Sequence, residues 1–128
     1  MNKQKIENII NLPVEERYGY FIRKVAEFEE VWGIYHDNGW AILSDNENRI
    51  VVPFWPEEAF AQLCCSEQWE GYTPKLIALP DFIDKWLPGM KKDNRFANIF
   101  YIPGTKTGTI ISPDILAEDL NEEKKNYL

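Results

Sequence analysis

Hydrophobic positions near the N-terminus recur at the spacing of amphipathic helices. Residues 2–12 carry isoleucines at this spacing: Ile6, Ile9 and Ile10. Residues 14–30 carry a longer series on one helical face: Tyr18, Phe21, Ile22, Val25 and Phe28. The opposite face of that segment carries glutamates: Glu15, Glu16 and Glu27. Pro13 separates the two segments and suits the start of a helix. The pattern predicts two N-terminal helices, over residues 2–12 and 14–30.

After residue 30 the pattern changes to short apolar runs. Residues 31–36 and 40–44 flank Asp37-Asn38-Gly39, and an Asn-Gly pair is typical of a tight hairpin turn. A second polar turn leads into residues 49–55, so these three runs predict an antiparallel meander. Three later runs are also predicted strands: 75–79, 96–102 and 107–112. A turn at Pro103-Gly104-Thr105-Lys106 is expected to join the last two.

Three further helices are predicted from apolar faces and from residues that start or end helices. The first opens at Pro56 and has this apolar face: Ala59, Phe60, Leu63 and Cys64. The second has these side chains on one side: Phe82, Ile83, Trp86 and Leu87. Pro88-Gly89 is expected to end it, because proline lacks the backbone donor that a helix needs. The third begins at Ser112-Pro113-Asp114, and three apolar residues are expected to dock it: Ile115, Leu116 and Leu120.

These elements predict one α+β domain over residues 1–128, with a mostly antiparallel sheet flanked by helices. The order of the strands stays open at this point. Residues 121–128 are expected to form a solvated, frayed tail. With 128 residues, of which 45% are hydrophobic, the chain can bury a core of its own. This composition excludes a disordered chain, a coiled coil and a disulfide-stapled miniprotein.

The charge of the chain limits its partners. Fourteen basic and 21 acidic residues give a formal charge of −7, which opposes binding to nucleic acid, so we expect no nucleic-acid partner. The chain has no apolar stretch of membrane-spanning length, and no basic, apolar leader precedes residues 2–12. We therefore expect neither membrane association nor a secretory signal. An acidic surface can steer basic protein partners, such as a nuclease toxin.

The two cysteines are neighbours, Cys64 and Cys65. A disulfide between adjacent residues would be strained, and in a helix the two side chains diverge. We expect free thiols, one buried and one partly exposed, and a reducing, cytoplasmic location.

The sequence contains no pattern typical of a catalytic or metal site. His36 is the single histidine, and no pair of residues has the spacing of metal ligands. Residues 104–108 lack the order of glycine and lysine that a phosphate-binding loop needs. Acid pairs near helix starts are explained by the helix dipole: Glu57, Glu58, Asp81 and Asp84. We expect no metal and no cofactor. The absence of such patterns favours a non-enzymatic role and leaves an enzyme open.

Tryptophan is the most distinctive residue type. The chain has five, mostly at the ends of strands and the starts of helices. Tryptophan fills cores and anchors interfaces equally well. In a regular strand Phe54 and Trp55 must point to opposite faces, so one face is expected to be core and the other open. Five residues are candidates for a binding surface: Trp40, Trp55, Asp81, Lys85 and Trp86.

Two functions follow from these residues. The first is a non-enzymatic protein-interaction or regulatory domain, with toxin neutralisation as one form of it. The second is a small-ligand-binding domain, or an enzyme of unrecognised type, with a pocket between residues 52–57 and 79–90. In that pocket Trp55 and Trp86 would be walls, and Asp81 or Lys85 would be the polar group. A homodimer is compatible with either function.

Several segments resemble a small bacterial family whose function is unassigned. They are the Gly39-Trp40 turn, Val-Pro-Phe-Trp-Pro-Glu at 52–57, Asp-Phe-Ile-Asp-Lys-Trp-Leu-Pro-Gly-Met at 81–90, and the segments 108–113 and 116–120. The likeness covers residues 17–123 and implies a single-domain cytosolic protein of bacteria without known catalytic residues. A fainter likeness, in Pro-Phe-Trp-Pro-Glu-Glu-Ala at 53–59, is to the N-terminal domain of enhanced serine sensitivity proteins. It implies an α+β sheet with flanking helices.

Overall fold

The structure, a computed structural model, describes residues 1–104 and 108–128. The two N-terminal helices are α1, Lys3–Ile10, and α2, Val14–Phe28. The Asn2 side chain caps α1 by accepting a hydrogen bond from the Lys5 N–H at 2.8 Å, which satisfies one of the free donors of the first turn. Both helices were predicted from their apolar spacing, and the described ends agree closely with the prediction.

Phe28 is the exception on the apolar face of α2. We expected it to pack into the core, but its side chain is 57% exposed. Helix α2 ends there because Glu29 adopts a left-handed conformation with φ 59°. The chain then turns into the first strand, and Phe28 is left at the surface, near the Lys24 ammonium.

The strands form two sheets. The first contains β1, Glu30–His36, with β2, Gly39–Trp40, on one side and β5, Thr73–Ala78, on the other. The second contains, in spatial order, these strands: β3, Leu43–Ser44; β4, Ile50–Phe54; β6, Phe96–Ile99; and β7, Thr109–Ile111. Only the β4–β6 pair is parallel among the described strand pairs. The predicted α+β class with mostly antiparallel pairing is confirmed.

The predicted meander is divided between these two sheets. Its second run breaks at Ala41 and Ile42, so that β2 pairs with β1 while β3 pairs with β4. Trp32 and Trp55 join the sheets through reciprocal backbone hydrogen bonds of 3.0 and 2.8 Å. The hairpin turn is also one residue shorter than predicted. Its two central residues, Asp37 and Asn38, both have positive φ, as a tight hairpin turn requires.

The helical segment 79–92 is longer than expected. It consists of α4, Leu79–Asp81, a π-helical turn, Phe82–Trp86, and α5, Leu87–Lys92. The prediction that Pro88-Gly89 ends this helix is wrong. Proline breaks a helix by removing one donor and by crowding the preceding turn. Here the preceding turn is wider, because the Leu87 N–H bonds to the Phe82 carbonyl five residues back, and α5 continues through the proline.

The remaining helices are α3, Glu58–Leu63, and α6, Pro113–Lys124. The Ser112 hydroxyl caps α6, as predicted, by accepting a hydrogen bond from the Ile115 N–H at 3.4 Å. Leu116 and Leu120 dock α6 in the core, whereas Ile115 and, on α3, Leu63 are exposed, contrary to expectation. Each lies on the outer side of its helix, and on α3 the buried positions are Phe60, Ala61 and, just beyond its end, Cys64.

The C-terminal half of the chain adds detail to the prediction. Helix α6 runs to Lys124 and a 3-10 turn, Lys125–Tyr127, follows; residues 121–128 are mostly exposed, and their fraying stays a prediction. Strand β6 stops at Ile99 because Phe100 has a φ of 62°. The predicted turn at residues 103–106 and the predicted strand at 107–112 fall partly on residues 105–107, which lie outside the described residues.

Candidate functional site

An open groove of about 540 Å³ lies between the β2–β4 region and the helical segment 79–92. Its lining combines apolar surface with a charged rim: Gly39, Trp40, Ile42, Val52, Lys85, Trp86, Gly89, Met90, Asp93 and Arg95. Three predicted candidates meet here, Trp40, Lys85 and Trp86. We call this site the Trp40–Trp86 groove. Its volume falls in the range of sites that hold small molecules or side chains of a partner.

The two tryptophans contact each other edge to face. Their ring centroids are 4.6 Å apart and the ring planes are at 87°, a favoured geometry for aromatic pairs. Both side chains are only partly buried. Since the two rings come from different elements, their contact positions the sheet edge against the helical segment and leaves aromatic surface in the groove.

Trp40 owes its position to Gly33 on the neighbouring strand. A Cβ atom at residue 33 would lie 2.9 Å from Cε3 and from Cζ3 of the Trp40 ring, so the indole rests directly on bare backbone. The Tyr35 ring packs against the same indole, with the two ring centroids 5.1 Å apart. The Lys75 ammonium lies over the Tyr35 and Trp40 rings. Residue 33 must therefore be glycine for Trp40 to lie flat on β1.

Trp86 is positioned by the π-helical turn. It is the last residue of that turn, and its ring also contacts Phe54 at 5.9 Å. Phe82, at the start of the turn, packs edge to face on Phe54 at 4.8 Å and is fully buried. Phe82 and Trp86 lie four residues apart and both pack on Phe54; Phe82 is enclosed in the core, whereas Trp86 is partly exposed and lines the groove.

Trp55 does not take part in the groove, although it was a candidate. Its side chain has no exposed surface. The indole Nε1–H donates a hydrogen bond to the Tyr101 carbonyl at 2.8 Å, and the ring packs edge to face on Trp69 at 6.3 Å. Phe54 and Trp55 do occupy opposite faces, but the face expected to be open is covered by Trp69 and Tyr101.

Asp81 and Lys85 are close to each other, with the Lys85 Nζ 3.6 Å from the Asp81 carboxylate. Their side chains are 57% and 77% exposed, respectively. Lys85 lines the groove and Asp81 does not. The pair is a surface contact between residues one helical turn apart, and such pairs contribute little to stability. Asp81 therefore supplies no buried acid to the groove.

Arg95 and Met90 are the functional candidates that sequence reasoning missed. Met90 enters the groove because α5 continues beyond Pro88. Arg95 follows the end of α5, where its backbone N–H bonds to the Met90 carbonyl at 2.8 Å. Within residues 1–104 and 108–128, no carboxylate lies within ion-pair distance of the Arg95 guanidinium. Met90 lies within the range 79–90 predicted to border a pocket but was not named as a candidate, and Arg95 lies beyond that range, after the end of α5.

Groups with catalytic potential lie outside the groove. The His36 Nε2 is 3.1 Å from the Asp37 carboxylate at the hairpin turn. Glu57 accepts a hydrogen bond from the Tyr20 hydroxyl. The part of the chain that the structure describes has no group of three or more His, Cys, Asp or Glu residues placed to hold a metal ion. None of the helices in the described ranges is long and apolar enough to cross a membrane.

The two thiols are free, and they have different environments. Cys64 is buried and Cys65 is partly exposed, as predicted. Burial raises the pKa of Cys64 to about 12, and its Sγ donates to the Tyr101 carbonyl at 3.5 Å. Burial also raises the pKa of Cys65. Because the thiolate is the reactive form, neither cysteine is an activated nucleophile at neutral pH.

We expect iodoacetamide at pH 7 to leave Cys64 unmodified in the folded protein and to modify Cys65 more slowly than it modifies free cysteine. Mass spectrometry of the native and the urea-denatured protein measures both sites, and denaturation should release two reactive thiols. Rapid modification of Cys64 in the native state would contradict the buried position of this thiol.

Comparison with known proteins agrees with the resemblance found in the sequence. None of the curated proteins matches the chain at a significant level. The likeness to enhanced serine sensitivity proteins therefore stays a prediction. A family described as proteins of unknown function, DUF2750, matches residues 18–120. That range contains both sheets, the helical segment 79–92 and every residue that lines the Trp40–Trp86 groove. The chain belongs to the DUF2750 family.

Proposed function

We propose that this protein is a non-enzymatic interaction domain that binds a segment of a protein partner in the Trp40–Trp86 groove. The observation that carries the proposal is the pair of partly exposed tryptophans in edge-to-face contact beside an open groove. Tryptophan is enriched among the residues that contribute most to binding at interfaces. A pair of them at a groove gives a partner both apolar area and a rigid shape to recognise.

Two backbone features support the assignment of function to this groove. Gly33 removes a side chain so that Trp40 can lie flat on β1. A π-helical turn precedes Pro88 and brings Trp86 to the groove, and π-helical turns occur frequently at functional sites. A glycine within a strand lowers local stability relative to alanine, and π-helical turns are rare. Their coincidence at one groove is more readily explained by binding than by packing alone.

The charges of the groove favour this general role over toxin neutralisation. The net charge of −7 steers basic partners toward the acidic parts of the surface. The groove itself has two cations on its rim, Lys85 and Arg95, against one carboxylate, Asp93. A basic toxin would meet these cations at close range. The charges of the groove therefore favour a general protein-interaction role. A basic toxin would have to bind at a separate, acidic part of the surface.

Affinity capture with matched variants tests the proposal. Wild-type protein, Gly33→Ala, Trp86→Ala and Phe28→Ala are each incubated with lysate of the source cells, and retained proteins are quantified by mass spectrometry. Phe28 is an exposed aromatic outside the groove, so its variant is the control. We expect the wild type and Phe28→Ala to retain the same protein in similar amounts. Gly33→Ala and Trp86→Ala should each retain about tenfold less of it, or still less. That protein, once purified, should bind one to one in calorimetry.

The proposal is wrong if no protein is retained, or if Trp86→Ala and Gly33→Ala retain it as well as the wild type does. Circular dichroism of each variant confirms that it is folded before capture. Light scattering of the wild type is measured in parallel. A dimer that Trp86→Ala dissociates would show that the groove holds a second copy of this chain, which also contradicts the proposal.

The volume of the groove favours a second candidate, a small-ligand-binding domain. About 540 Å³ is enough for a compact organic molecule. The site differs from the predicted pocket in its walls, since Trp40 takes the place expected for Trp55. A thermal-shift screen of small organic acids would support this candidate if one compound raised the Tm of the wild type and left that of Trp86→Ala unchanged.

A further inference from the structure

We infer, on the basis of the proposed function, that the partner segment carries a carboxylate next to an aromatic or aliphatic side chain. Arg95 would bind the carboxylate, and the tryptophan pair would contact the apolar side chain. The inference names the chemistry of the occupant of the Trp40–Trp86 groove and distinguishes it from a basic or purely apolar segment.

The apolar half of this recognition follows from the floor of the groove. Trp40 and Trp86 offer ring surface, and Val52 and Met90 lie beside them. Met90 is buried where it supports the groove, and a methionine adapts its shape to different side chains. An aromatic or branched apolar side chain can therefore displace water from this floor and bury apolar surface against the rings.

The charged half follows from Arg95. Its side chain is partly buried, and within the described part of the chain it makes no ion pair. A guanidinium presents a planar fork of donors that matches a carboxylate. The backbone N–H of Arg95 bonds to the Met90 carbonyl, which places the base of the side chain at the end of α5, and the residue lines the groove beside the apolar floor. A carboxylate from a partner would satisfy donors that the described residues leave free.

The other cations near the groove are less available. Lys85 lies 3.6 Å from Asp81, and Lys75 is stacked over the Tyr35 and Trp40 rings. Both add positive potential, but each is a single ammonium and neither presents the planar fork of donors that the Arg95 guanidinium offers a carboxylate. Arg95 is therefore the group that distinguishes an acidic segment from a neutral one.

Asp93 limits how acidic the segment can be. It lines the same groove as Arg95 and is not within 4.0 Å of any described basic group. A second carboxylate on the partner would approach this acid and be repelled. The rim therefore selects one carboxylate beside an apolar side chain and disfavours a run of acidic residues.

Three synthetic hexapeptides test this inference with the isolated protein. They are N-acetyl-Gly-Ser-Glu-Phe-Ser-Gly-amide and its versions with Gln or Lys in place of Glu. Each is titrated into ¹⁵N-labelled protein, and the indole N–H signals of Trp40 and Trp86 are followed by NMR. We expect the Glu peptide to shift both signals and to bind about tenfold more tightly than the Gln peptide, because a hydrogen bond to a charged group is at stake. The Lys peptide should bind most weakly.

Arg95→Gln and Arg23→Gln are the matched variants. Arg23 is an exposed arginine on α2 that does not line the groove. Arg95→Gln should make the Glu and Gln peptides bind equally, whereas Arg23→Gln should preserve the tenfold preference. A preference that survives Arg95→Gln would overturn the role of Arg95. A fourth probe, 3-phenylpropionate, tests a small acid as the occupant, and binding as tight as that of the Glu peptide would overturn the protein segment.

The outcomes separate this inference from the proposed function. If the Glu and Gln peptides bind equally to the wild type at Trp40 and Trp86, the carboxylate preference is wrong while the groove remains a docking site. If no peptide shifts either indole signal, the inference fails. The proposed function is then tested separately, by whether Trp86→Ala retains less of the captured partner than the wild type does.

Discussion

Trp55→Ala is expected to lower the free energy of unfolding by about 4 kcal/mol, in the range found for large aromatic residues removed from cores. Trp55 is fully buried, and its Nε1–H is bonded to the Tyr101 carbonyl at 2.8 Å. Its backbone also joins the two sheets through Trp32. The substitution would leave a cavity beside Trp69 and remove the strongest donor to the Tyr101 carbonyl.

Urea unfolding followed by circular dichroism, with a reducing agent present, measures this change. Leu63→Ala is the matched control, because Leu63 lies on nearby α3 and is exposed, so its effect should stay within about 0.5 kcal/mol. Trp55→Phe should fold, with a free energy of unfolding about 1–2 kcal/mol lower than that of the wild type. This variant lacks the indole N–H, so it tests the hydrogen bond to Tyr101 even if Trp55→Ala does not fold. A Trp55→Ala variant as stable as the wild type would return Trp55 to the list of binding candidates.

Gly108→Ala is expected to destabilise the protein by about 2–3 kcal/mol through overpacking. A Cβ atom at this position would lie 2.5 Å from the Ile99 carbonyl oxygen and would also meet the Asn98 side chain. The Ile99 contact involves backbone of β6, which pairs with both neighbouring strands. The clash can therefore be relieved only by moving backbone, either at residue 108, directly before β7, or in β6.

Gly89→Ala provides the matched comparison for Gly108→Ala. In α5, a Cβ atom at residue 89 would have no atom within 4 Å. Alanine is favoured over glycine in a helix by about 1 kcal/mol, so this variant should be more stable than the wild type. Thermal unfolding by calorimetry measures both variants. An equal effect of the two substitutions would contradict the close approach of Gly108 to β6.

Gly89 and Gly108 differ in contacts that the residues next to them in the sequence do not reveal. The segment 104–108 was excluded as a phosphate-binding loop from its spacing alone. Spacing did not reveal that Gly108, directly before β7, lies close against Asn98 and Ile99 of β6, because those residues are distant in the sequence. A contact between separate strands leaves no signal in the residues around the glycine.

The helical segment 79–92 shows a different limit. Phe82, Trp86 and Leu87 were correctly assigned to a helix from their spacing. The rule that proline ends a helix then led to the wrong boundary at Pro88, because a π-helical turn accommodates the proline. This boundary matters for the site, since Met90 lies in the continued helix and Arg95 follows its end, and both line the groove.

Local sequence patterns were enough to predict the α+β class, the positions of most helices and strands, the capping of α6 by Ser112, and the presence of free thiols. These properties depend on periodicity and capping, which act over a few neighbouring residues. The tertiary structure decided that Trp40 and Trp86 meet at an open groove while Trp55 is enclosed by Trp69 and Tyr101. Trp40 and Trp55 are both aromatic residues at the end of a strand, and nothing near either one distinguishes them. Burial depends on which distant elements pack on each face of the sheet, and that is settled only when the whole chain has folded.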